Sequence, residues 1–261
     1  MKIITSRENP HVKQLKLLSS NVPMRKRGGK ALAEGVHLCE AYLQGNTPEI
    51  CVVSEAAEGN QEVAAILDIC EARDVACLQL PSALFDEVSQ VERGVGILFV
   101  IAVPRLNVPQ VLQHDAVLLD QVQDPGNMGS ILRSAAAAGI KQIYCSSGCV
   151  QCWTPKVLRS GMGAHFLLDI FDSVDLQGLI SKAQVPILAT SSHATQVVYD
   201  SELTQPVAWM FGNEGQGVSP HLLEMIENTV ALPHIGAMES LNVAACAAIC
   251  LFEQVRQRRA W

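Results

Sequence analysis

Three stretches of this sequence put polar side chains where an apolar segment stops and a helical one begins. α/β proteins build small-molecule pockets at strand ends in this way. The stretches are AVLLDQVQDPGNMGSILRSAAAAGI at 116–140, FGNEGQG at 211–217 and ALPHIGAMESLNVAACAAICLFE at 231–253. In the first, Asn127 is placed to N-cap a helix and Gly129 permits close backbone approach, with Arg133 about one and two-thirds turns further on. In the second, Gly212, Gly215 and Gly217 surround Asn213 and Glu214, so main-chain amides and carbonyls can face a ligand without Cβ interference. Ser219 and Pro220 then read as the N-cap and first residue of the next helix. In the third, Ser240 is placed to cap a long helix whose first turns, Val243 to Ala248, are small residues. The spacing G-x-x-G-x-G is not the dinucleotide fingerprint, and no G-x-x-x-x-G-K-[ST] occurs, which disfavours the usual NAD and ATP sites. Cys145-x3-Cys149-x2-Cys152 has metal-like spacing, but tetrahedral zinc needs a fourth ligand, so the expectation is thiols and no metal. His193 and His234 fall in the pocket loops, where a histidine is more often a structural donor than a base.

The elements that must carry these residues follow from periodicity. Segments 116–120, 141–145, 186–190, 207–211 and 229–232 read as strands, alternating with helices at 128–138, 155–164, 220–227 and 240–257. That alternation predicts a mostly parallel sheet covered by helices. Upstream, 31–43 and 59–72 carry helical periodicity, 50–53, 76–80 and 97–103 read as strands, and Ser82 opens a helix over 82–90. VPRLNVPQ at 103–110 reads as a linker, dividing the chain into domains 1–105 and 111–261.

Composition bounds the function. The 261 residues are 49% hydrophobic, ample for a core. No run of about 18 uncharged apolar residues predicts a membrane span. The N-terminal MKIITSRENPHVKQ is basic and lacks the apolar region of a signal peptide. Nine cysteines without framework spacing read as reduced thiols of a cytoplasmic protein. The net charge of −7 argues against a generic nucleic-acid coat protein. Residues 1–30 nevertheless hold eight Lys and Arg against one acid, leaving 11 basic and 25 acidic residues in the other 231. Such a stretch is either a solvated face or a phosphate-contacting arm, and composition leaves both open. Arg256-Gln257-Arg258-Arg259 either touches RNA or complements a helix C-terminus.

Asn127-x-Gly129-x-x-x-Arg133, FGNEGQG and LP-x-x-G-x-x-x-SLNVA resemble, in order, the three signature motifs of the SpoU (TrmH) RNA 2′-O-ribose methyltransferases of the SPOUT superfamily. TPKVLRSGMGAHF at 154–166 is similar to the family's intermediate helix, and the resemblance covers about residues 111–258. Asn9-Pro10, Arg25, Glu34-Gly35 and His37 look like the family's L30e-like RNA-binding domain, a less specific match. The chain departs from the commoner pattern at LPHIG, at the final Ala of SLNVA and at Gly161, and none of these departures removes a polar residue assigned to catalysis.

The resemblance implies an α/β fold with a SPOUT-type parallel sheet and a deep C-terminal trefoil knot, preceded by the smaller L30e-like domain. It implies S-adenosyl-L-methionine bound largely by main-chain atoms, with contacts at Gly212, Leu232 and Leu241 and further ones at Asn213 and Thr190. No metal is implied. Arg133 is implied as the residue that orients the ribose hydroxyl and stabilises developing alkoxide charge, since an arginine is effectively always protonated. Asn127, Glu214, Ser240 and Asn242 complete the catalytic set. Arg7, Lys13, Arg25, Lys26 and Arg27 are the expected RNA contacts. Homodimers are usual in the family, packed so that two subunits compose each site, which leaves Arg133 to act either in its own subunit's site or in the partner's. The implied substrate is RNA, with ribosomal RNA of the 23S type ahead of tRNA and no DNA or membrane partner. Two other readings are a catalytically idle RNA-binding assembly factor, against which the intact polar set speaks, and a nucleotide-dependent oxidoreductase, which lacks its phosphate fingerprint.

Overall fold

The computed structural model describes residues 1–91, 94–238 and 240–259. They cluster into two units. One comprises Met1–Arg105 with Trp153–Phe166, the other Leu106–Cys152 with Leu167–Trp261. The division near 105 follows the sequence expectation, but segment 153–166 joins the first unit. Its packing explains this: Phe166 sits edge-on to Tyr42 at 5.0 Å between ring centroids, and Arg159 donates to the Gln90 carbonyl at 3.1 Å.

In the first unit, β1 (Lys2–Ile3), α1 (Pro10–Ser20), α2 (Val22–Gly28), β2 (Lys30–Glu34), α3 (Val36–Leu43), β3 (Ile50–Ser54), α4 (Gln61–Ala72), β4 (Ala76–Leu80), α5 (Ser82–Asp86) and β5 (Ile97–Ala102) follow one another. The sheet order is β1-β4-β3-β5-β2. Strands β1, β3 and β4 are mutually parallel, whereas β5 runs antiparallel to β2 and β3. α1 begins where Asn9 accepts a hydrogen bond from the His11 amide at 2.9 Å, with Pro10 in the first turn. Its Val12, Leu15 and Leu18 bury against Leu32, Val52, Leu98 and Val100. The helix expected over 31–43 splits into β2 and α3 at Gly35, whose φ is +102°. Here pairing with β5, register Leu32↔Val100, overrides the helical propensity of Ala, Leu and Glu. α5 is shorter than the expected 82–90 and starts from Pro81.

In the second unit, β6 (Ala116–Leu119), α6 (Pro125–Ala137) and β7 (Gln142–Cys145) come first; the helix Pro155–Gly161, α7, belongs to the first unit. Then follow β8 (Asp169–Phe171), α8 (Leu176–Ile180), β9 (Ile187–Thr190), β10 (Gln196–Val197), β11 (Ala208–Phe211), α9 (Pro220–Leu223), β12 (Asn228–Ala231) and α10 (Val243–Arg258). Every pairing is parallel, in the order β10-β12-β9-β11-β6-β7-β8. Central strands β6 and β11 are buried at all positions, which is why AVLL and AWMF read as unbroken apolar runs. α10 packs along α6, and it is tied to the sheet where Trp209 Nε1 donates to Gln254 Oε1 at 2.6 Å. Strands β8 and β10 and helix α8 are too short for periodicity to reveal.

Candidate active site

The three motif loops meet at the carboxyl ends of β6, β9, β11 and β12. The 211–217 turn leaves β11 and doubles back, with Asn213 N donating to Gly217 O at 2.9 Å and Gly217 N to Asn213 O at 2.8 Å. That closure requires glycine at 212. A Cβ there would lie 2.0 Å from the Gly217 carbonyl carbon and 2.1 Å from the Val218 nitrogen. Asn213 Oδ1 accepts from the Gly215 and Gln216 amides at 3.0 and 3.1 Å, while its Nδ2 donates to Gln121 O at 2.9 Å. Its amide is therefore occupied in shaping the loop.

Glu214 reaches the start of α6. Its carboxylate accepts from the backbone amides of Gln123 (3.2 Å) and Asp124 (2.9 Å) and from Asn127 Nδ2 (3.1 Å). Burial opposes the charge, but those donors outweigh it and hold the carboxyl below its usual value. Asn127 Oδ1 in turn accepts from Asn242 Nδ2 at 2.8 Å. One hydrogen-bonded chain, Glu214–Asn127–Asn242, thus links the three motifs.

Two capping assignments are corrected. Asp124 caps α6, accepting from the Asn127 amide at 2.8 Å, which leaves the Asn127 side chain available to the chain just described. Asn242 caps α10, accepting from Ala244 N at 2.9 Å and Ala245 N at 3.2 Å, two residues beyond Ser240. Asp and Asn cap as well as Ser does, so local sequence does not choose among them. Ser219 precedes α9 as expected, but α9 ends at Leu223, and the Ser219 hydroxyl donates to the buried Asp120 carboxylate at 2.5 Å. Gln121, whose φ is +55°, donates from its side chain to the same hydroxyl at 3.0 Å. Asp120, Gln121 and Asp124 support the loops and escaped the sequence reading; the Asp-Pro pair at 124–125 was the available signal.

These loops enclose a cavity of about 330 Å³, within the range of small-molecule sites. Thr190, Gly212, Asn213, Leu232 and Leu241 all line it, as do Glu214 and Ser240. His193, His234 and Cys246 also line it. A lining that mixes the polar loop residues with Leu232, Leu241, Val230 and Val243 suits a ligand with both an apolar ring and charged groups. Arg133 does not join this cluster. It lies exposed on α6 and makes no hydrogen bond or ion pair among the described residues.

The expected RNA contacts divide. Arg25 is only 3% exposed, and its guanidinium donates to the carbonyls of Leu18 at 2.6 Å and Ser19 at 3.1 Å. It closes the C-terminal end of α1 and is not available to a phosphate. Arg7 pairs with Glu87, and Lys13 with Glu8 at 2.5 Å. Lys26 and Arg27 are exposed in the last turn of α2.

Comparisons with known proteins place relatives along nearly the whole chain. Residues 115–252 match the model of the SpoU rRNA Methylase family, and residues 9–98 that of the MRM3-like substrate binding domain. The chain is 34% identical to a tRNA/rRNA methyltransferase of Synechocystis sp., itself uncharacterized, over 98% of this chain and 94% of that one. It is 30% identical to the 23S rRNA (guanosine(2553)-2′-O)-methyltransferase RlmP of Bacillus subtilis, over 97% of this chain and 98% of that one. The crystal structure of the SpoU methyltransferase AviRb from Streptomyces viridochromogenes with AdoMet superposes with a TM-score of 0.83 at 26% identity, covering 96% of this chain and 98% of the other.

Proposed function

Because the chain belongs to the SpoU rRNA methylase family, we propose that it methylates a ribose 2′-hydroxyl of 23S-type ribosomal RNA, with S-adenosylmethionine as donor. The observation that carries this reading is the Glu214–Asn127–Asn242 chain, whose Glu214 lines a cavity walled by Gly212, Leu232 and Leu241. When bound, the donor supplies an electrophilic methyl group on a sulfonium. The protein's own tasks are to align the attacking oxygen and assist loss of its proton.

Leu232 and Leu241 offer apolar walls to the donor's adenine, and Gly212 with its neighbours offers main-chain atoms. Thr190 donates its hydroxyl to Met210 O at 3.3 Å and so fixes the end of β9 beside them. Asn213 serves the turn rather than the donor. Glu214 and Asn127 hold the α6 N-terminus against the 211–217 turn, and Ser240 sits where a polar donor can meet the ribose. Arg133 acts on the ribose or its phosphate, as a cation that orients the hydroxyl and stabilises charge developing on it.

Since Arg133 stands apart from the cavity of its own chain, we read the protein as a homodimer in which each subunit's Arg133 serves the other's site. The exposed apolar face of α10, which carries Ala245 and Phe252 (47% exposed), supports an interface on the α6–α10 side. We read residues 212–258 as following the family's knotted path. The parallel strand order and the tie between Asn242 and Asn127 support it. The first unit is read as the L30e-like RNA-binding domain, with Lys26 and Arg27 as phosphate contacts. Nine reduced thiols fit action in the cytoplasm, and no helix among the described residues is long and apolar enough to cross a membrane.

Mapping 2′-O-methyl groups in total RNA from a strain lacking the gene and from its parent tests the proposal. The expected result is the loss of one 23S-type site. Loss of a tRNA site instead, or of none, overturns it.

A further inference from the structure

The sulfur-rich run after β7 lacked a fourth ligand when read as sequence, and the fold brings one to it. Cys145 ends β7, Cys149 and Cys152 lie in the loop that follows, and Asp172 comes directly after β8. Cys145 Sγ and Cys152 Sγ are 3.5 Å apart. Both thiols and an Asp172 carboxylate oxygen lie within 4.8 Å of one another. Cys149 Sγ lies beside this group, 3.7 Å from Ser146 Oγ and 3.2 Å from Leu119 O. The Met128 thioether on α6 closes the far side, 3.9 Å from Cys152 Sγ.

Two sulfurs bound to tetrahedral zinc at about 2.3 Å are separated by roughly 3.8 Å, close to the spacing found here. The scaffold is also fixed beforehand. Ser146 N donates to Leu119 O at 2.9 Å, Val150 N to Val122 O at 2.9 Å and Val174 N to Cys145 O at 2.9 Å. These bonds hold the ends of β6, β7 and β8 in one place. Cys145 and Cys152 are fully buried and Cys149 half-buried, so an ion would enter past Cys149. A carboxylate among three thiols selects against copper(I), which prefers all-soft donors, and suits zinc.

We propose that Cys145, Cys149, Cys152 and Asp172 bind one structural zinc ion. The Cys149 side chain turns from the Leu119 carbonyl, 3.2 Å away, to complete the tetrahedron. Binding displaces the thiol protons to solvent as the zinc–sulfur bonds form, with no change of oxidation state. The ion would tie the β7–β8 end of the sheet to the loop 119–122, which leads directly into the active-site turn at 123–127.

The test uses the full chain, reduced, stripped with a chelator and titrated with Zn(II) or Co(II). The expected result is a stoichiometric equivalent of zinc by mass spectrometry and a tetrahedral thiolate spectrum with cobalt. C145S/C152S should lose both. D172N, which removes only the carboxylate charge and leaves the thiols in the core, should fold normally and shift the cobalt spectrum. Zinc uptake that persists in C145S/C152S, an unaltered cobalt spectrum in D172N, or a reduced wild-type chain that takes up no metal overturns the proposal. So does a Cys145–Cys152 disulfide found in the protein as isolated.

Discussion

Glycine-to-alanine changes along 212–217 separate three physical roles within one six-residue turn. In Gly212→Ala the new Cβ would stand 2.0 Å from the Gly217 carbonyl carbon, a backbone atom that cannot rotate away. The turn must open, losing the reciprocal bonds between Asn213 and Gly217. Two neutral hydrogen bonds contribute about 2 kcal/mol together, equivalent to roughly 30-fold in affinity. Residual overpacking adds about 1–3 kcal/mol. Gly217→Ala meets no atom within 4 Å but must hold φ at +71°, which costs about 1–2 kcal/mol, or roughly 5- to 30-fold. Gly215→Ala finds only Asn213 Oδ1 at 3.7 Å, an ordinary contact outside the left-handed region; its effect should stay within about 0.5 kcal/mol. Calorimetric titration with S-adenosylmethionine reads the series, and thermal unfolding checks that the sheet survives. The expected order of damage is 212, then 217, then 215. Affinity in Gly212→Ala within about twofold of wild type, or equal damage at 215 and 212, would refute the reasoning.

Asn242→Ala removes both the α10 cap and the tie to Asn127, about 1 kcal/mol each, whereas Asn242→Asp keeps the cap. Melting should drop in both, by about half as much in the second, which loses only the tie to Asn127, while methylation falls in both; equal melting loss would contradict the capping role. Arg25→Ala strands the Leu18 and Ser19 carbonyls and should destabilise by about 1–3 kcal/mol in denaturant. Lys26→Glu with Arg27→Glu should cost less stability than Arg25→Ala and weaken RNA binding with a shallower salt dependence; the reverse pattern would reassign both sites. Arg133→Ala should abolish methyl transfer with cofactor affinity held within about twofold, and parallel loss of both would place it in the cofactor pocket after all. The depressed Glu214 carboxyl contributes stability above the unfolded value near 4.5 and loses it as pH falls through the folded value. The melting difference between wild type and Glu214→Gln should therefore be present at neutral pH and fade in acid. A difference constant with pH would mean the charge plays no part.

What could be read in the sequence was what is local. Gly212, Asn213 and Glu214 stand out because a turn after a buried strand needs those residue types, whatever lies around it. Five strands of the seven-stranded parallel sheet were legible, the central ones because they are apolar on both faces. What was misread depends on distant partners. Residues 30–34 look helical until β5, nearly seventy residues later, pairs with them. Arg25 looks like surface charge until the end of α1 offers its carbonyls. Asp172 stands twenty residues beyond Cys152 and gains meaning only when β8 lies beside β7.

The bond between Asn127 and Asn242 spans 115 residues. At about 5–20 residues per second, a ribosome makes the second partner roughly 6 to 23 s after the first. During that interval β6 and α6 can form, yet the start of α6 has no Asn242 to hold it, and Leu241 and Val243 are missing from the cavity wall. A chain cut short before residue 240 would therefore lack part of that wall and the tie that links the first motif to the third.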